Sequence, residues 1–484
     1  MKTNVKQGIA LCALMALTTA GGCKVGSEYV APQTAINASS AYKINQSKNV
    51  VDDKYLVRQQ VGADVASWWS LANDEALTEL TREAVSSNLS LREALFRIQS
   101  ARAMVGSTRA NLMPAVMESG GYTFGRSATT KSSYNMYDLA TGMSWEIDFF
   151  GRIARQIEAA NADVELQREL YRNAYVILTA DVAQTYIDAR SYQEQIKIAK
   201  ANIRLQEESY DIAKAKSEIG STSRLDEQQA LGVCNTTRST VLSLESMYQQ
   251  AVNRMNVLCG KEPGTNYADN ILNAGSEENW FVPAAPPEIL VGIPADLLRR
   301  RPDIRAIEQQ IIAQNARVGV AIADLYPYFT LNGSFGLSGN SVTSMFDGDA
   351  ISASVGPAFH WNVLNFGRYR FNIEAQRFTQ EALVATYQDA VITAAQEVDD
   401  ALETYVNEHN RAETLGAASA AYLEAYNISR LRYDSGEIDF QRVLDSQAGL
   451  LASQLQSVQS RASEIGAIVK LYRALGGDWV ANGS

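Results

Sequence analysis

Apolar and polar residues alternate one by one in four stretches of the chain. Met143, Trp145, Ile147 and Phe149 interleave with Ser144, Glu146 and Asp148. Phe329, Leu331, Phe335 and Leu337 interleave with Thr330, Asn332, Ser334 and Gly336. Ile351, Ala353, Val355, Phe359, Trp361 and Val363 interleave with Ser352, Ser354, Gly356, His360 and Asn362. Residues 116–125 are a weaker fourth stretch, with Tyr122 and Phe124 against Thr123 and Gly125. Period two with one apolar and one small polar face predicts strands facing two different media, over about 115–125, 137–149, 328–338 and 351–363. A soluble sandwich would alternate in the same way against its core. The aromatic strand ends (Tyr122, Phe124, Trp145, Phe149, Tyr328, Phe329, Phe359 and Trp361) and segments of about ten residues suit tilted membrane strands instead. An open sheet edge cannot exist in lipid, and the smallest closed barrels have about eight strands. Four strands per chain therefore predict a barrel shared between chains, with eight strands from two copies or twelve from three.

Between these stretches the period lengthens. Val182, Thr185, Ala189, Tyr192, Ile196, Ala199 and Ile203 follow an unbroken three-four spacing, a coiled-coil seam. Ile153, Ile157, Ala160, Val164, Tyr171, Ala174 and Leu178 lead into it under nearly the same rule. No proline lies between Pro114 and Pro263 or after Pro357. A helix from about 151 to 219 would be about 100 Å long. Val398, Ala401, Tyr405, Ala412 and Leu415 repeat the stripe less cleanly, interrupted by Glu408.

The chain is written twice. Trp145-Glu-Ile-Asp-Phe-Phe-Gly-Arg152 recurs as Trp361-Asn-Val-Leu-Asn-Phe-Gly-Arg368, an offset of 216, and Gly220 and Gly436 are also 216 apart. Upstream, Leu91, Gly106 and Pro114 match Ile304, Gly319 and Pro327 at an offset of 213. Constant offsets over so long a stretch mark two copies of one unit. Each copy reads as short helix, two strands, long helix, sharp turn, long helix. The predicted organisation is a targeting segment over 1–22, an N-terminal segment over 23–66, a first repeat over 67–285 with its helical hairpin at about 151–258, and a second repeat over 286–484 with its hairpin at about 367–475. A Pro/Gly/Asn-rich stretch, roughly residues 260 to 294, joins them.

The start of the chain changes the setting. Lys2 and Lys6 precede an apolar run from Ile9 to Leu17, followed by Ala20-Gly-Gly-Cys23. The run is too short to span a bilayer and has the charge, apolar core and small-residue exit of a secretory signal. Its end resembles a bacterial lipoprotein box, which would make Cys23 the lipidated first residue. Ala20 stands where leucine is usual. Lys24, rather than an aspartate, follows the cysteine, which favours the outer membrane.

Composition then removes function classes. The 484 residues carry 43 Lys+Arg against 54 Asp+Glu, a net charge of −11, so a nucleic-acid partner is not expected. Two histidines and four cysteines exclude a His-rich metal centre and a disulfide scaffold. No phosphate loop, nucleophile elbow or metal spacing is present, so neither a cofactor nor an enzyme is expected. If Cys234 and Cys259 lie on one straight helix they are about 37 Å apart and could not bridge, so buried free thiols are expected, with an inter-chain or bent-helix disulfide as the alternative.

The residues carry a family resemblance. Trp68-Trp69 with Asp74 and Leu77, Ile293-Pro-Ala-Asp-Leu-Leu-Arg-Arg-Arg-Pro-Asp-Ile304, and the two turns, Gly220-Ser-Thr-Ser-Arg-Leu-Asp226 and Tyr433-Asp-Ser-Gly436-Glu-Ile-Asp439-Phe440 with Val443-Leu-Asp445-Ser-Gln447, resemble the TolC-like outer membrane factors. The closest likeness is to the lipidated branch serving resistance-nodulation-division pumps, and it covers nearly the whole mature chain. The resemblance implies an α+β membrane protein: a homotrimer whose twelve-stranded outer-membrane barrel, four strands per chain, continues into a periplasmic coiled-coil barrel. It implies a periplasmic membrane-fusion adaptor and an inner-membrane pump as partners, with outer-membrane lipid around the strands. It also implies that the hairpin tips, with Gly220, Ser223, Leu225, Gly436 and Asp439, meet the adaptor. Asp226 and Tyr433 would form a latch between the hairpins, and Asp445 would line the constriction, where acidic rings favour cations. Arg442 stands where a second acid is usual and Ile438 where a basic partner sometimes stands, so an Arg442–Asp445 pattern across chains is an alternative closure. A duct for type I protein secretion and a coiled-coil structural lipoprotein are the competing readings.

Three signals have structural readings of their own. Gly220 and Gly436 suit the left-handed turn that ends a helix, and Ser223 and Asp439 suit the N-cap of the next. Pro302 and Asp303 after the arginine run read as a helix start, with proline in the first turn and an acid at the positive dipole end. His360 falls on the polar face of its strand and carries no expected chemistry.

Overall fold

A computed structural model describes residues 24–32, 57–59, 74–129, 131–274, 280–284, 289–291 and 300–477. Cys23, the signal over 1–22, Trp68-Trp69 and residues 293–299 of the arginine signature lie outside the described residues. The elements in order are β1 (Val57–Gln59), α1 (Glu75–Ser87), α2 (Leu89–Ala110), β2 (Ala115–Arg126), β3 (Ser133–Ile147), α3 (Arg152–Glu218), α4 (Arg224–Leu258), α5 (Tyr267–Leu272), β4 (Ile289–Val291), α6 (Pro302–Ala323), β5 (Tyr328–Gly339), β6 (Ile351–His360), α7 (Arg368–Asp434) and α8 (Phe440–Ala474). The repeat is exact in helix length: α2 and α6 have 22 residues, α3 and α7 have 67, and α4 and α8 have 35. Among the described residues no helix is long and apolar enough to cross a membrane.

The chain divides into two compact units. The first comprises Phe96–Glu169 and Arg305–Gln388 with the N-terminal residues 24–32. It holds one antiparallel sheet in the order β2-β3-β5-β6. Sequence alternation starts β3 near residue 137 and ends it at 149; the strand runs from Ser133 to Ile147. The early start follows from the ladder to β2, which continues to Arg126↔Ser133. The early end comes where Phe149 N donates to Ile147 O and turns the chain. The alternation carries β6 to 363, whereas the strand stops at His360, where its ladder to β5 stops at Tyr328↔His360. Trp145 Nε1 donates to Leu112 O at 2.9 Å and Trp361 Nε1 to Leu325 O at 3.1 Å, so each copy pins its strand end to the exit of its short helix.

In this unit residues 24–28 are clamped. Arg155 is fully buried; its Nε donates to Val25 O at 2.9 Å and its Nη2 to Gly26 O at 3.1 Å and Ser27 O at 3.3 Å. Glu158 completes the guanidinium's pairing at 2.9 Å and also takes Lys24 Nζ at 2.6 Å. A buried guanidinium is tolerated only when satisfied in this way. Gly26 (φ +94°) and Gly319 leave the room, since a Cβ on Gly319 would lie 2.8 Å from Arg155 Cδ.

The second unit comprises Leu170–Ile304, Asp389 onward and residues 34–95, as far as these are described. Its core gathers Leu80, Tyr186, Val252, Met255, Leu402 and Ile468. The seam read from the sequence is its inner stripe: Val182, Thr185, Ala189, Ile196 and Ala199 are buried. Glu408, which interrupts the stripe in the second copy, accepts from Ser460 Oγ at 2.8 Å, so the polar break is hydrogen-bonded. Pro302 is the first residue of α6 and the Asp303 carboxylate accepts from Ile304 N at 2.9 Å, as the sequence suggested. Arg301 does more than flank that start. Its guanidinium pairs with Asp303 at 2.7 Å and Glu397 at 2.6 Å and donates to Ala474 O, the end of α8, at 3.0 Å. These contacts hold the Asp303 carboxyl below the usual aspartate range against the opposing effect of burial. Cys234 and Cys259 are buried free thiols. The linker between the copies carries α5.

Candidate functional site

Two regions carry the chemistry that the sequence singles out: the sheet and the hairpin tips. Register sorts the strand residues onto faces, because directly paired residues of an antiparallel sheet share a side. On one face stand Trp145↔Leu331, Ile147↔Phe329, Leu139↔Leu337, Phe329↔Phe359, Phe335↔Ala353 and Leu337↔Ile351. On the other stand Ser144↔Asn332, Gly142↔Ser334, Ala140↔Gly336, Ser334↔Ser354 and Asn332↔Gly356. The polar face is bonded across strands: Ser144 Oγ donates to Asn332 Oδ1 at 3.0 Å, and the Ser334 and Ser354 hydroxyls are 2.8 Å apart. His360 lies on this face, stacked on Tyr328 with ring centroids 5.1 Å apart. The apolar face is uncovered: Val355 is 75% exposed, Phe359 65% and Phe335 50%. Glu118 is an acid on that face, where it accepts from Thr141 Oγ1 at 3.0 Å. Among the described residues β2 and β6 are the free edges of this sheet.

The tips repeat one backbone design. Gly220 has φ +74° and Gly436 φ +78°, the left-handed conformation that glycine takes without a Cβ clash. Ser221 N donates to Lys216 O at 2.9 Å and Gly220 N to Ser217 O at 3.0 Å. Glu437 N donates to Arg432 O at 2.8 Å and Gly436 N to Tyr433 O at 3.1 Å. Both are Schellman closures, which satisfy carbonyls left over at the helix end. Ser223 Oγ caps α4 by accepting from Leu225 N at 3.1 Å. Asp439 occupies the equivalent position before α8, but its side chain makes no capping bond; it acts there as a charge at the helix N-terminus.

Tyr433 is buried with Ala213, Ala230, Tyr426, Phe440, Val443 and Leu444. Lys216 binds it: Nζ donates to Tyr433 O at 2.9 Å and sits 4.0 Å from the ring centroid, a cation–π contact. Sequence reading missed Lys216, since its partner lies 217 residues away. Among the described residues no hydrogen bond joins Asp226 to Tyr433, whose buried Oη has Thr222 as its neighbour. The two groups are coupled through space: burial first, then the Asp226 charge, raise the Tyr433 pKa. Burial and the Asp439 charge raise that of Asp226. Asp445 is exposed and accepts from Gln441 Nε2 at 2.8 Å. Arg442 is exposed, one turn before it, and Leu225 is 60% exposed. Among the described residues no cluster of His, Cys, Asp and Glu could hold a metal ion.

A sheet with one apolar and one small polar face, open at both edges, joined in one chain to two 67-residue helices and their return helices, defines a class: the outer-membrane efflux ducts. The family model for outer membrane efflux proteins matches residues 80–261 and 293–477, one match per copy, and the chain belongs to that family. It is 28% identical over 481 residues to outer membrane protein OprJ of Pseudomonas aeruginosa, covering 98% of this chain and 97% of that one. It is 30% identical over 423 residues to the toluene efflux pump outer membrane protein TtgF of Pseudomonas putida, covering 85% of each. Among solved structures, the outer-membrane channel OprN matches with a TM-score of 0.82 at 29% identity, over 94% of this chain and 99% of that chain. The Campylobacter jejuni CmeC outer membrane channel shares the fold, with a TM-score of 0.84 at 20% identity over 96% of each.

Proposed function

We propose that this chain is the exit duct of a tripartite efflux system. Three copies close a twelve-stranded barrel in the outer membrane, with the apolar face of each sheet toward lipid and the small polar face toward the lumen. The hairpins continue the lumen through the periplasm as a coiled-coil barrel. A periplasmic adaptor joins it to a resistance-nodulation-division pump, which supplies the energy. The duct catalyses nothing and conducts small molecules such as drugs. The observation that carries this reading is the sheet: four strands cannot close, and their exposed apolar face ends in two open edges that lipid does not tolerate.

The finer assignments belong to the same proposal. Residues 1–22 are the signal, and Cys23 is acylated, beside a segment held by Arg155. The repeats divide at about residue 285. Asp226, Tyr433, Arg442 and Asp445 govern the periplasmic aperture, supported by the coupling of Asp226 with Tyr433 and the exposure of Arg442 and Asp445. The exposed tips around Gly220, Ser223, Leu225, Gly436 and Asp439 receive the adaptor. The test is membrane fractionation of the full-length protein with mass determination of the detergent-extracted particle. A lipid-modified outer-membrane species of three chains is expected; a detergent-free monomer or dimer sinks the duct.

A further inference from the structure

The internal repeat predicts more than architecture, because it is exact in hydrogen-bond register. Moving β2 by 213 residues and β3 by 216 turns the pair Ala115↔Ser144 into Tyr328↔His360, and Val116↔Met143 into Phe329↔Phe359. Both images are observed pairs. Ten of the twelve pairs of the first hairpin, Ala115↔Ser144 to Phe124↔Asn135, are carried in this way onto the ten pairs of the second.

The remaining ladder, β3 with β5, joins the first copy to the second. Its image under the same offsets joins β6 to a β2 that this chain cannot supply, since the two are opposite edges of the sheet. We propose that β6 of one protomer pairs with β2 of the next in this inherited register: Gly356 opposite Thr123 of the partner subunit, and His360 opposite Ser119 of the partner subunit. These are the images of Ala140↔Gly336 and Ser144↔Asn332. The inference rests on the three-copy barrel proposed above.

Three observations agree with it. The first is the length of β6. β3 extends to Ile147 because β5 pairs with it there: Trp145↔Leu331, Glu146↔Thr330 and Ile147↔Phe329. On its other side the ladder to β2 already ends at Ala115↔Ser144. Trp361, Asn362 and Val363 are the counterparts of Trp145, Glu146 and Ile147, alternate as a strand should, and stand outside β6. The proposed register sets them against the partner's Glu118, the partner's Met117 and the partner's Val116, which completes the strand that the alternation predicts.

The second is the agreement of faces. Val355 meets the partner's Phe124 and Pro357 meets the partner's Tyr122 on the apolar side, while Gly356 and His360 meet hydroxyl residues on the polar side. A slip of one residue would turn every pair over.

The third lies on the helices. Within the chain, a Cβ on Gly319 of α6 would lie 2.8 Å from Cδ of Arg155 on α3. The image of that contact is Phe371 against the partner's Gly106. In one chain Phe371 is 65% exposed, and a Cβ on Gly106 would meet nothing within 4 Å. Among the described residues each half of an interlocking pair is thus present and unfilled.

Disulfide trapping in outer membranes carrying the full-length protein tests the register. Within one chain, β2 and β6 are about 14 Å apart at ~4.8 Å per strand, beyond disulfide reach, so any bond between them joins two chains. Thr123→Cys with Gly356→Cys, and independently Ser119→Cys with His360→Cys, should give a ladder of linked chains up to three on oxidation. The slipped pairs, Thr123→Cys with Ala358→Cys and Thr123→Cys with Ser354→Cys, should link several-fold less. Each single substitution measures the background from Cys234 and Cys259. Stronger linking by a slipped pair overturns the register and leaves the trimer standing. So does the absence of linking in every pair when the extracted particle still has three chains. A particle of one or two chains from the unsubstituted protein overturns the duct reading and this register with it.

Discussion

At the base of the first hairpin, Asn88 Nδ2 donates to Leu258 O at 2.9 Å; at the base of the second, Arg301 Nη1 donates to Ala474 O at 3.0 Å. The acceptors are equivalent, each the last residue of a 35-residue helix or its counterpart. The donors differ in everything but position. The same holds at the tips, where Asp226 of the first copy is replaced by Arg442, and Tyr433 of the second corresponds to Ser217 of the first. Beside the sheet, buried Arg155 corresponds to exposed Phe371. The comparison teaches that helix length, turn geometry and strand register are shared by the copies, while the side chains at equivalent places have been assigned to different neighbours. Backbone closure needs the same solution twice; a third of a ring needs two different surfaces.

The largest test of this comparison is at the hairpin bases. Arg301→Ala should destabilise the detergent-extracted protein by about 3–5 kcal/mol, since it leaves Asp303 and the α8 end without their buried partner. Asn88→Ala should cost only about 1 kcal/mol, the neutral hydrogen bond to Leu258 O and the cap that Asn88 Oδ1 provides by accepting from Leu91 N at 3.1 Å. Thermal unfolding monitored by far-UV circular dichroism ranks the two, and equal shifts would contradict the asymmetry. At the tips the copies should behave alike. Gly220→Ala and Gly436→Ala should each cost about 1–2 kcal/mol, because both force a Cβ into the left-handed conformation.

Lys216→Met comes next. It keeps the stem and removes the ammonium from the Tyr433 ring and carbonyl, for about 1 kcal/mol. The readout is faster limited proteolysis at residues 216–224, with the unfolding midpoint nearly unchanged. Asp226→Asn should have the smallest effect and the opposite sign. Its carboxyl is raised by burial and by Asp439, so the charged form costs stability above that raised pKa and nothing below the ordinary aspartate value. The variant should resist proteolysis better than the parent at neutral pH, and the gap should close as pH falls through the raised value.

What the sequence makes legible follows from locality. The glycine turns, the Pro302 helix start and the seam from Val182 to Ala199 each depend on residues within a few turns of one another, and all can be read directly. The faces of the sheet are legible because period two survives in the sequence. The end of β6 is not, because a strand ends where its neighbour ends, and alternation knows nothing of neighbours. Capping by Asp439 is a residue-type preference that the local rotamer does not realise. Lys216 on Tyr433, and Arg155 on three successive carbonyls of residues 25–27, join positions more than a hundred residues apart. No spacing rule reaches that far. At the tips, Asp226 and Tyr433 are legible as neighbours of a turn, whereas the cation between the hairpins is not.

The two open edges have a genetic consequence. A duct in which every chain offers one edge to each neighbour has no spare surface, so a chain that folds but carries one blocked edge still captures sound chains through the other and keeps the ring from closing. In a cell expressing equal amounts of sound and blocked chains, random assembly leaves about one ring in eight free of the defect. Lesions on β2 or β6 should therefore be dominant over the normal allele, whereas lesions that prevent a chain from folding should be recessive. The edge of a sheet decides here how a mutation is inherited.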